Sequence, residues 1–424
     1  MQSTDTALFI RYTLKIATMT KKTLYYGYAI VAASTIILMV VYSSYYSYSI
    51  FFDSLATEFN STKAAISGAF SLTVIISGLI SAFAGSVSDR VGPKAVCLVC
   101  GSALGLGLLL MSLVKDIWQI YVIYGVLIAL GVGGLFPAAV STVARWFTDK
   151  RGMMIGIVTA GLGVGSIILS PLISYLITAY TWRRAYVIIG IIVLAVVLTA
   201  SQFLKRDPGN TVKLPSDKKG AMKAIPDIGR DFTYREAIVT KQFWMLVTIF
   251  ILSGYGQFSL MVHIVTYATG QGISPISAAS ILSIIGGVSI FGRIIIGGIG
   301  DKIKVKPLLL AIGATLLLSL ICLEFAHSLW AFIVVGIIFG LGYGGSSTLQ
   351  SLVAVEMFGL KTMGTMLGNF ILSICIGGSI GPVITGALFD ASHSYSLSFT
   401  ICIITALASL VIILWLTTPE RKTS

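Results

Sequence analysis

Twelve long apolar runs divide this chain of 424 residues and constrain its fold more than any other feature. Each run has about 20 residues or more, which is the length that an α-helix needs to cross the hydrocarbon core of a bilayer. Only 11% of the residues are charged, whereas a soluble domain carries about 25%. The sequence therefore predicts an all-α membrane protein with twelve transmembrane helices. The predicted spans are residues 25–52, 64–88, 95–114, 117–144, 152–178, 183–204, 241–268, 276–299, 307–326, 329–355, 363–389 and 395–417.

A charged stretch interrupts the apolar pattern after the sixth run. It contains Pro208, Pro215 and Pro226, and it reads as a hydrophilic connector between two six-helix halves. No apolar core with a cleavage site occurs in the first 18 residues, so we predict a leader and no signal peptide, with Met19 as an alternative start. The predicted domains are a leader at 1–22, a six-helix bundle at 23–204, a connector at 205–240, a second bundle at 241–418 and a tail at 419–424.

The basic residues indicate how the chain is oriented. Of the 29 Lys and Arg residues, 24 fall on the side that carries both termini and the connector. Only Lys63, Lys115, Arg183 and Arg184 fall on the other side. Basic loops remain in the cytoplasm, so we predict cytoplasmic termini in the cell inner (plasma) membrane. The net charge of +13 records this orientation and does not predict a nucleic-acid partner.

A loop motif occurs once in each half. Gly85-Ser-Val-Ser-Asp89-Arg90-Val-Gly92-Pro-Lys94 follows the second run, and Gly297-Gly-Ile-Gly-Asp301-Lys302 follows the eighth. The two aspartates are 212 residues apart, which is half the chain. Such internal repeats are typical of transporters whose halves move about a site at the bilayer midplane. The motif is either a solvated turn or part of a gate, and its two copies favour a gate formed by Gly85, Asp89, Arg90, Asp301 and Lys302.

Arg293 is the one Lys or Arg that falls deep within a predicted span. It precedes the polar turn at Asp301 by about 12 Å of helix, given the rise of about 1.5 Å per residue. A lone cation at that depth is costly, so it is expected to face an internal cavity and to meet an anion. No carboxylate is placed in the sequence to neutralise it, and the anion is therefore expected to be the substrate. The alternative is an arginine that reaches the interface or binds helix carbonyls.

The loop motif, its weaker second copy, the twelve spans and the long central loop resemble the major facilitator superfamily over residues 22–418. Within that superfamily, the segment from Arg145 to Gly152 and the Ala- and Gly-rich helix after it resemble the monocarboxylate transporters and their bacterial relatives, including oxalate:formate antiporters. The resemblance implies that the loop motif locks and releases the cytoplasmic side. It also implies that Arg293, with its spacing to Asp301, binds a substrate carboxylate.

Three departures from these relatives bear on the substrate and on its coupling. Oxalate antiporters carry a lysine in span eleven, and this chain has no Lys or Arg in GNFILSICIGGSIGP. One buried cation favours a monoanion. Animal monocarboxylate transporters carry an aspartate one turn before the span-eight arginine, where this chain has Ser289, and a lysine in span one, which is apolar and rich in tyrosine here.

Other residues of the predicted cavity are polar or aromatic. His263 is expected either to contact substrate or a proton, or to bind a backbone carbonyl. Tyr343 is expected to share the carboxylate with Arg293 or to pack, and Asn369 is expected to line the cavity or to join helices. The N-terminal half has almost no deep charge, so its wall is predicted to be apolar. Its predicted cavity residues are Tyr45, Tyr46, Phe136 and Leu162.

These patterns predict a secondary transporter that moves small monocarboxylates, such as lactate or pyruvate, together with a proton by alternating access. The transporter is expected to be a monomer. Exchange of organic anions uses the same arginine and remains the main alternative. Cation or drug efflux normally requires a buried Asp or Glu at mid-span, and none is found. The sequence contains no nucleophile–base pair, metal-ligand cluster or nucleotide loop, so it predicts neither an enzyme, nor a metal site, nor a cofactor. The expected partners are the anion, a proton and the lipid bilayer.

Overall fold

A computed structural model of the chain describes residues 26–61, 63–148, 150–207 and 231–419. Regular structure in these ranges is entirely helical, and twelve helices are long and apolar enough to cross a membrane. The predicted leader, most of the connector and most of the tail lie outside the described residues. The spans are α1 Tyr26–Tyr46, α2 Lys63–Val91, α3 Pro93–Met111, α4 Ile117–Trp146, α5 Arg151–Ala179, α6 Trp182–Ser201, α7 Lys241–Gly270, α8 Pro275–Gly300, α9 Val305–Glu324, α10 Leu329–Phe358, α11 Met363–Ser392 and α12 Ser396–Trp415.

Local sequence signals start several of these helices. The hydroxyls of Thr240, Ser274 and Ser328 accept hydrogen bonds from the first-turn N–H groups of α7, α8 and α10. The turn from α2 to α3 depends on Gly92, whose φ of 103° lies in the left-handed region that glycine tolerates best. Pro93 then occupies the first turn of α3, where no N–H partner is required. These signals keep the interhelical turns short.

The structure differs from the prediction at the first span, because it has two helices where the sequence predicted one. α1 ends at Tyr46, and a separate helix runs from Tyr48 to Glu58. The hydroxyls of Ser43 and Ser44 bond to the carbonyls of Met39 and Val40 in the preceding turn. Such bonds from serine to its own helix backbone favour bending. The two clustered serines are the sequence signal for this break, and a hydropathy pattern does not detect it.

Glu58 ends this second helix and joins it to α6 at the outer end of the first half. Its carboxylate accepts a hydrogen bond of 2.9 Å from the Trp182 indole N–H and forms an ion pair with Arg183. The bonds from Trp182 and Arg183 lower the pKa of the Glu58 carboxyl. Arg183 also donates to the carbonyl of Val114 at 2.7 Å, so three segments meet at this corner.

The two six-helix halves meet along two helix pairs that are equivalent in the repeat. α2 packs against α11, and α5 packs against α8. Glycines allow these backbones to approach closely: a Cβ on Gly85 would overlap the carbonyl of Gly364, and a Cβ on Gly152 would overlap that of Gly297. Both contacts lie at the end that carries the loop motif, which we call the basic end. The halves are therefore closed at the basic end.

Part of the predicted connector holds the turn between α10 and α11. The carboxylate of Asp231 accepts hydrogen bonds from the N–H groups of Leu360 and Lys361, at 3.0 and 2.9 Å. Gly359 begins this turn with a φ of 93°, and a Cβ there would also overlap Asp231. The short helix Tyr234–Val239 follows and leads into α7. The second half thus starts as an ordered segment attached to its own interhelical turn.

Candidate functional site

A cavity of about 400 Å³ lies between the two halves, near the middle of the spans. α1, α2, α4 and α5 form one wall, and α7, α8, α10 and α11 form the other. A second cavity of about 310 Å³ shares Tyr46, Phe70 and Val262 with it and continues to residues of the outer half of α11, such as Val383. The site is thus approached from the end opposite the basic end. The lining residues used below are Tyr42, Tyr45, Tyr46, Phe70, Phe136, Leu162, Gln257, Phe258, Arg293, Tyr343, Ser346, Ser347 and Gln350.

Arg293 lines this cavity and is only 3% exposed. Its Nε donates to the hydroxyl of Ser347 at 3.2 Å, and its Nη1 donates to the hydroxyl of Ser289 at 2.5 Å. Over the ranges that the structure describes, no carboxylate forms an ion pair with it. Hydroxyls orient the guanidinium but leave its charge in place. A buried cation without a counter-charge attracts anions electrostatically.

Tyr343 stands beside Arg293. The guanidinium carbon lies 5.9 Å from the centre of the Tyr343 ring, which is within the range of a cation–π contact. The ring also stacks on Phe339 with a centroid distance of 5.7 Å, and this contact fixes its orientation. Tyr343 interacts across the cavity with Tyr46 of the opposite half. One tyrosine thus lies between the cation and the first half.

Polar side chains that sequence reasoning missed surround Arg293 on the second half. Gln257 and Gln350 are 4% and 6% exposed, and both donate toward Ser346, through its hydroxyl and its carbonyl respectively, at 3.5 and 3.4 Å. Tyr343, Ser346 or Ser347, and Gln350 are spaced three or four residues apart and so share one face of α10. That spacing of polar residues was the available signal. This wall can therefore bind a carboxylate and a second polar group beside it.

The wall on the first half is mostly apolar and rich in aromatic rings, with Ser77 and Ser81 as its serines. The structure brings Tyr45, Phe136 and Leu162 into the cavity lining, where the sequence placed them. Tyr42 and Phe70 join them, and neither was expected from the sequence. Tyr42 and Tyr45 are three residues apart on one face of α1, which was the signal for Tyr42. The cavity therefore has a cationic, polar wall and an apolar wall on opposite halves.

His263 is not brought into the cavity lining. Its Nε2 lies 3.0 Å from the carbonyl of Pro382, and its Nδ1 lies 3.3 Å from the hydroxyl of Tyr395. A carbonyl only accepts, so Nε2 carries a proton, and in the neutral ring Nδ1 then accepts from the Tyr395 hydroxyl. Both ring nitrogens are therefore occupied within the outer part of the second half. Of the two roles expected from the sequence, the structure shows the contacts of the backbone-binding one.

We expect His263→Leu to lower thermal stability while uptake continues. The substitution removes two hydrogen bonds of a half-buried ring, each contributing about 1 kcal/mol. The measurement compares the melting temperature and the carboxylate uptake of purified variant and wild type in the same liposomes. Loss of proton-driven uptake at unchanged melting temperature would contradict this assignment and restore a transport role for the histidine.

Asn369 also lies outside the cavity lining. Its side-chain N–H donates to the carbonyl of Thr365 at 2.8 Å, one turn earlier in α11. The backbone carbonyl of Asn369 accepts from the hydroxyl of Ser373 at 2.8 Å. The side-chain amide therefore donates within its own helix, and the role of Asn369 in binding substrate stays a prediction.

The first copy of the loop motif closes the basic end through Asp89. This carboxylate of α2 is 8% exposed and accepts from the backbone N–H groups of Gly364 and Thr365, at 3.2 and 2.9 Å. It also accepts from the Thr365 hydroxyl at 2.9 Å and pairs with Arg145 of α4 at 2.5 Å. Gly364 and Thr365 begin α11, so Asp89 caps a helix of the other half and complements its dipole.

The second copy repeats this arrangement with the halves exchanged. Asp301, at the end of α8, accepts from the N–H groups of Gly152 and Met153, at 2.6 and 3.1 Å. These two residues begin α5 of the first half. The side chains of Arg90 and Lys302, which the sequence placed in the gate, are exposed, and Arg145 is the cation bonded to Asp89. The cross-half helix caps thus involve Asp89 and Asp301 with their glycines.

A further contact between the halves lies behind Arg293. The hydroxyls of Thr159 on α5 and Thr348 on α10 are 3.0 Å apart and buried. The Thr348 hydroxyl lies 3.4 Å from the carbonyl of Arg293. A Cβ on Gly156 would lie 2.6 Å from the same carbonyl. The backbone that carries Arg293 is therefore part of the interface that must separate for the basic end to open.

This fold and central cavity are those of a membrane transporter. The family model described as the Major Facilitator Superfamily matches residues 34–323 and 299–424. The chain belongs to that superfamily. Among solved structures, the proton:xylose symporter XylE superposes with a TM-score of 0.71 at 15% identity, covering 94% of this chain and 97% of that one. The fucose:proton symporter FucP of E. coli gives 0.67 at 17% identity, covering 91% and 98%.

The similar curated proteins include carboxylate transporters. "Monocarboxylate transporter 12" of Homo sapiens is 25% identical over 401 residues, which cover 89% of this chain and 78% of that protein. "Oxalate:formate antiporter" of Oxalobacter formigenes is 28% identical over 393 residues, covering 89% and 90%. The chain is thus a transporter, and not an enzyme, related to the monocarboxylate transporters and the oxalate:formate antiporter.

Proposed function

We propose that this transporter moves small monocarboxylates, such as lactate or pyruvate, together with a proton by alternating access. The observation that carries the proposal is Arg293, a buried guanidinium that faces the cavity and hydrogen-bonds to hydroxyls, with no carboxylate paired to it among the described residues. One cation matches one carboxylate. The proposal is also supported by relatives whose names specify monocarboxylates. In this proposal the basic end faces the cytoplasm of the cell inner membrane.

The charge of Arg293 gives a reason why the conformational change is coupled to binding of a carboxylate. Closing both ends around a bare guanidinium would leave it in a low dielectric with no counter-ion, which costs several kcal/mol. A bound carboxylate offsets that charge, so the loaded protein changes conformation more readily than the empty one. A proton that travels with the anion makes net uptake electroneutral.

The test is uptake of radiolabelled lactate by purified protein in liposomes with and without an inward proton gradient. We expect accumulation above the external concentration when the gradient is imposed, even though no counter-substrate is inside, and none without the gradient. A proton ionophore is the control, and it is expected to abolish the accumulation. Equal lactate levels with and without the gradient would contradict proton coupling.

Exchange of one organic anion for another is a second candidate, and a specific observation favours it. Among the described residues that line the cavity, none is Asp, Glu or His. Within the described part of the chain, no Asp, Glu or His therefore stands beside the proposed carboxylate site. An exchanger needs no proton carrier, because an anion is bound during each conformational change.

Preloaded liposomes separate the two candidates. An exchanger takes up labelled lactate only when unlabelled carboxylate is inside, and a proton gradient without internal substrate gives no uptake. A symporter gives uptake from the gradient alone. If neither condition produces uptake for any carboxylate tested, the assignment to monocarboxylates itself is wrong.

A further inference from the structure

Aromatic rings form a continuous surface on the wall opposite Arg293. Tyr45 and Phe70 stack with centroids 4.9 Å apart and planes 24° from parallel. Tyr42 meets the edge of Phe136 at 5.9 Å and that of Tyr45 at 6.3 Å. These distances and angles are those that aromatic rings prefer among themselves. The wall is therefore already arranged to accept one more ring.

The size of the cavity also bears on the substrate. Its volume of about 400 Å³ is far larger than the roughly 10–15 Å³ that a single buried water needs. An acid as small as lactate fills only part of it. When its carboxylate lies at Arg293, most of the aromatic wall remains in contact with water.

We propose that the preferred substrates are monocarboxylates that carry an aromatic ring, with the carboxylate at Arg293 and the ring against Tyr42, Phe70 and Phe136. This inference rests on the proposed function, and it names the substrate class more narrowly. A hydroxyl or oxo group next to the carboxylate lies beside Gln257 and Gln350, whose amides donate or accept. The substrate then joins the polar half to the aromatic half, which draws the halves together.

Matched pairs of acids test the role of the ring. Lactate and 3-phenyllactate share a carboxylate and a hydroxyl and differ by one phenyl group, as do pyruvate and phenylpyruvate. The measurement is the dissociation constant of each acid for the purified full-length protein by calorimetry, together with competition against labelled lactate uptake. We expect each phenyl acid to bind at least ten-fold more tightly than its parent. 3-Cyclohexyllactate, which has a ring of similar size without π electrons, is expected to lie between them.

Single substitutions in the aromatic wall test where the ring of the bound acid lies. Phe70→Leu and Phe136→Leu are each expected to lower the ratio of phenyllactate to lactate affinity by about five-fold or more. Two positions are used because either variant alone can fail to fold, which size-exclusion chromatography detects. Phe83→Leu is the matched control: Phe83 is also on α2 but is 73% exposed on its outer surface, and this variant should keep the wild-type ratio.

The outcomes separate this inference from the proposed function. If phenyllactate binds no better than lactate, and both bind, the aromatic wall does not select a ring and the inference is wrong while the carboxylate site stands. If no acid binds in wild type, the proposed function fails as well. If the ratio falls equally in Phe83→Leu, the ring lies elsewhere, and that result too overturns the inference.

Discussion

Replacing Arg293 with methionine is expected to abolish carboxylate transport without lowering thermal stability. Methionine keeps an unbranched stem of similar length but carries no charge. Loss of one partner of a buried charge pair costs about 3 kcal/mol, so carboxylate affinity should fall by roughly a hundred-fold or more. Stability should not fall, because the guanidinium is 3% exposed and no described carboxylate offsets its charge.

The measurement for Arg293→Met compares labelled uptake in liposomes with the melting temperature of the same preparation. Ser289→Ala is the matched control, because it removes one hydroxyl that orients the guanidinium and leaves the charge. Its affinity should fall by only about ten-fold. Undiminished uptake by Arg293→Met would refute the role of this arginine. A large drop in melting temperature would show that the guanidinium stabilises the fold.

Replacing Asp89 with asparagine is expected to open the basic end. Asparagine keeps the shape of the side chain but loses the charge that pairs with Arg145 and caps α11. Hydrogen bonds to charged groups contribute about 2 kcal/mol, which corresponds to a shift of roughly 30-fold in the population of the closed state. Spin labels at the exposed Ala95 and Lys361, one on each half, report the separation.

Two variants control for the opening in Asp89→Asn. Thr365→Val removes a single hydroxyl that bonds to Asp89 and keeps the backbone N–H groups, so it should open the end less. Arg90→Ala changes an exposed side chain of the same motif and should leave the distances as they are. If Arg90→Ala opens the end as far as Asp89→Asn does, the helix cap does not close it.

Much of the fold was predictable because each span is defined by its own residues. Apolar length places the helices, and the two loop motifs show the repeat. The break after Tyr46 was not predictable from hydropathy, because Ser43 and Ser44 act through bonds to the backbone. The partner of Asp89 was not predictable either, since Thr365 lies 276 residues away. The spacing of residues along the chain does not predict which residues of the two halves come into contact.

The site shows the same division between local and long-range information. Depth in a span and charge were sufficient to single out Arg293. His263 and Asn369 were also polar and in a span, but their partners are the Pro382 carbonyl of another helix and the Thr365 carbonyl of the same helix. Burial predicts that a polar group has a partner, and only the structure shows which one.

A structure of the wild-type protein with bound 3-phenyllactate, or with lactate if that binds more tightly, tests the central claim most directly. The quantity to measure is the distance from the bound carboxylate oxygens to the guanidinium nitrogens of Arg293. The account predicts about 3 Å, the length of a charge-assisted hydrogen bond. An acid held elsewhere in the cavity, with Arg293 still bonded only to Ser289 and Ser347, would contradict it.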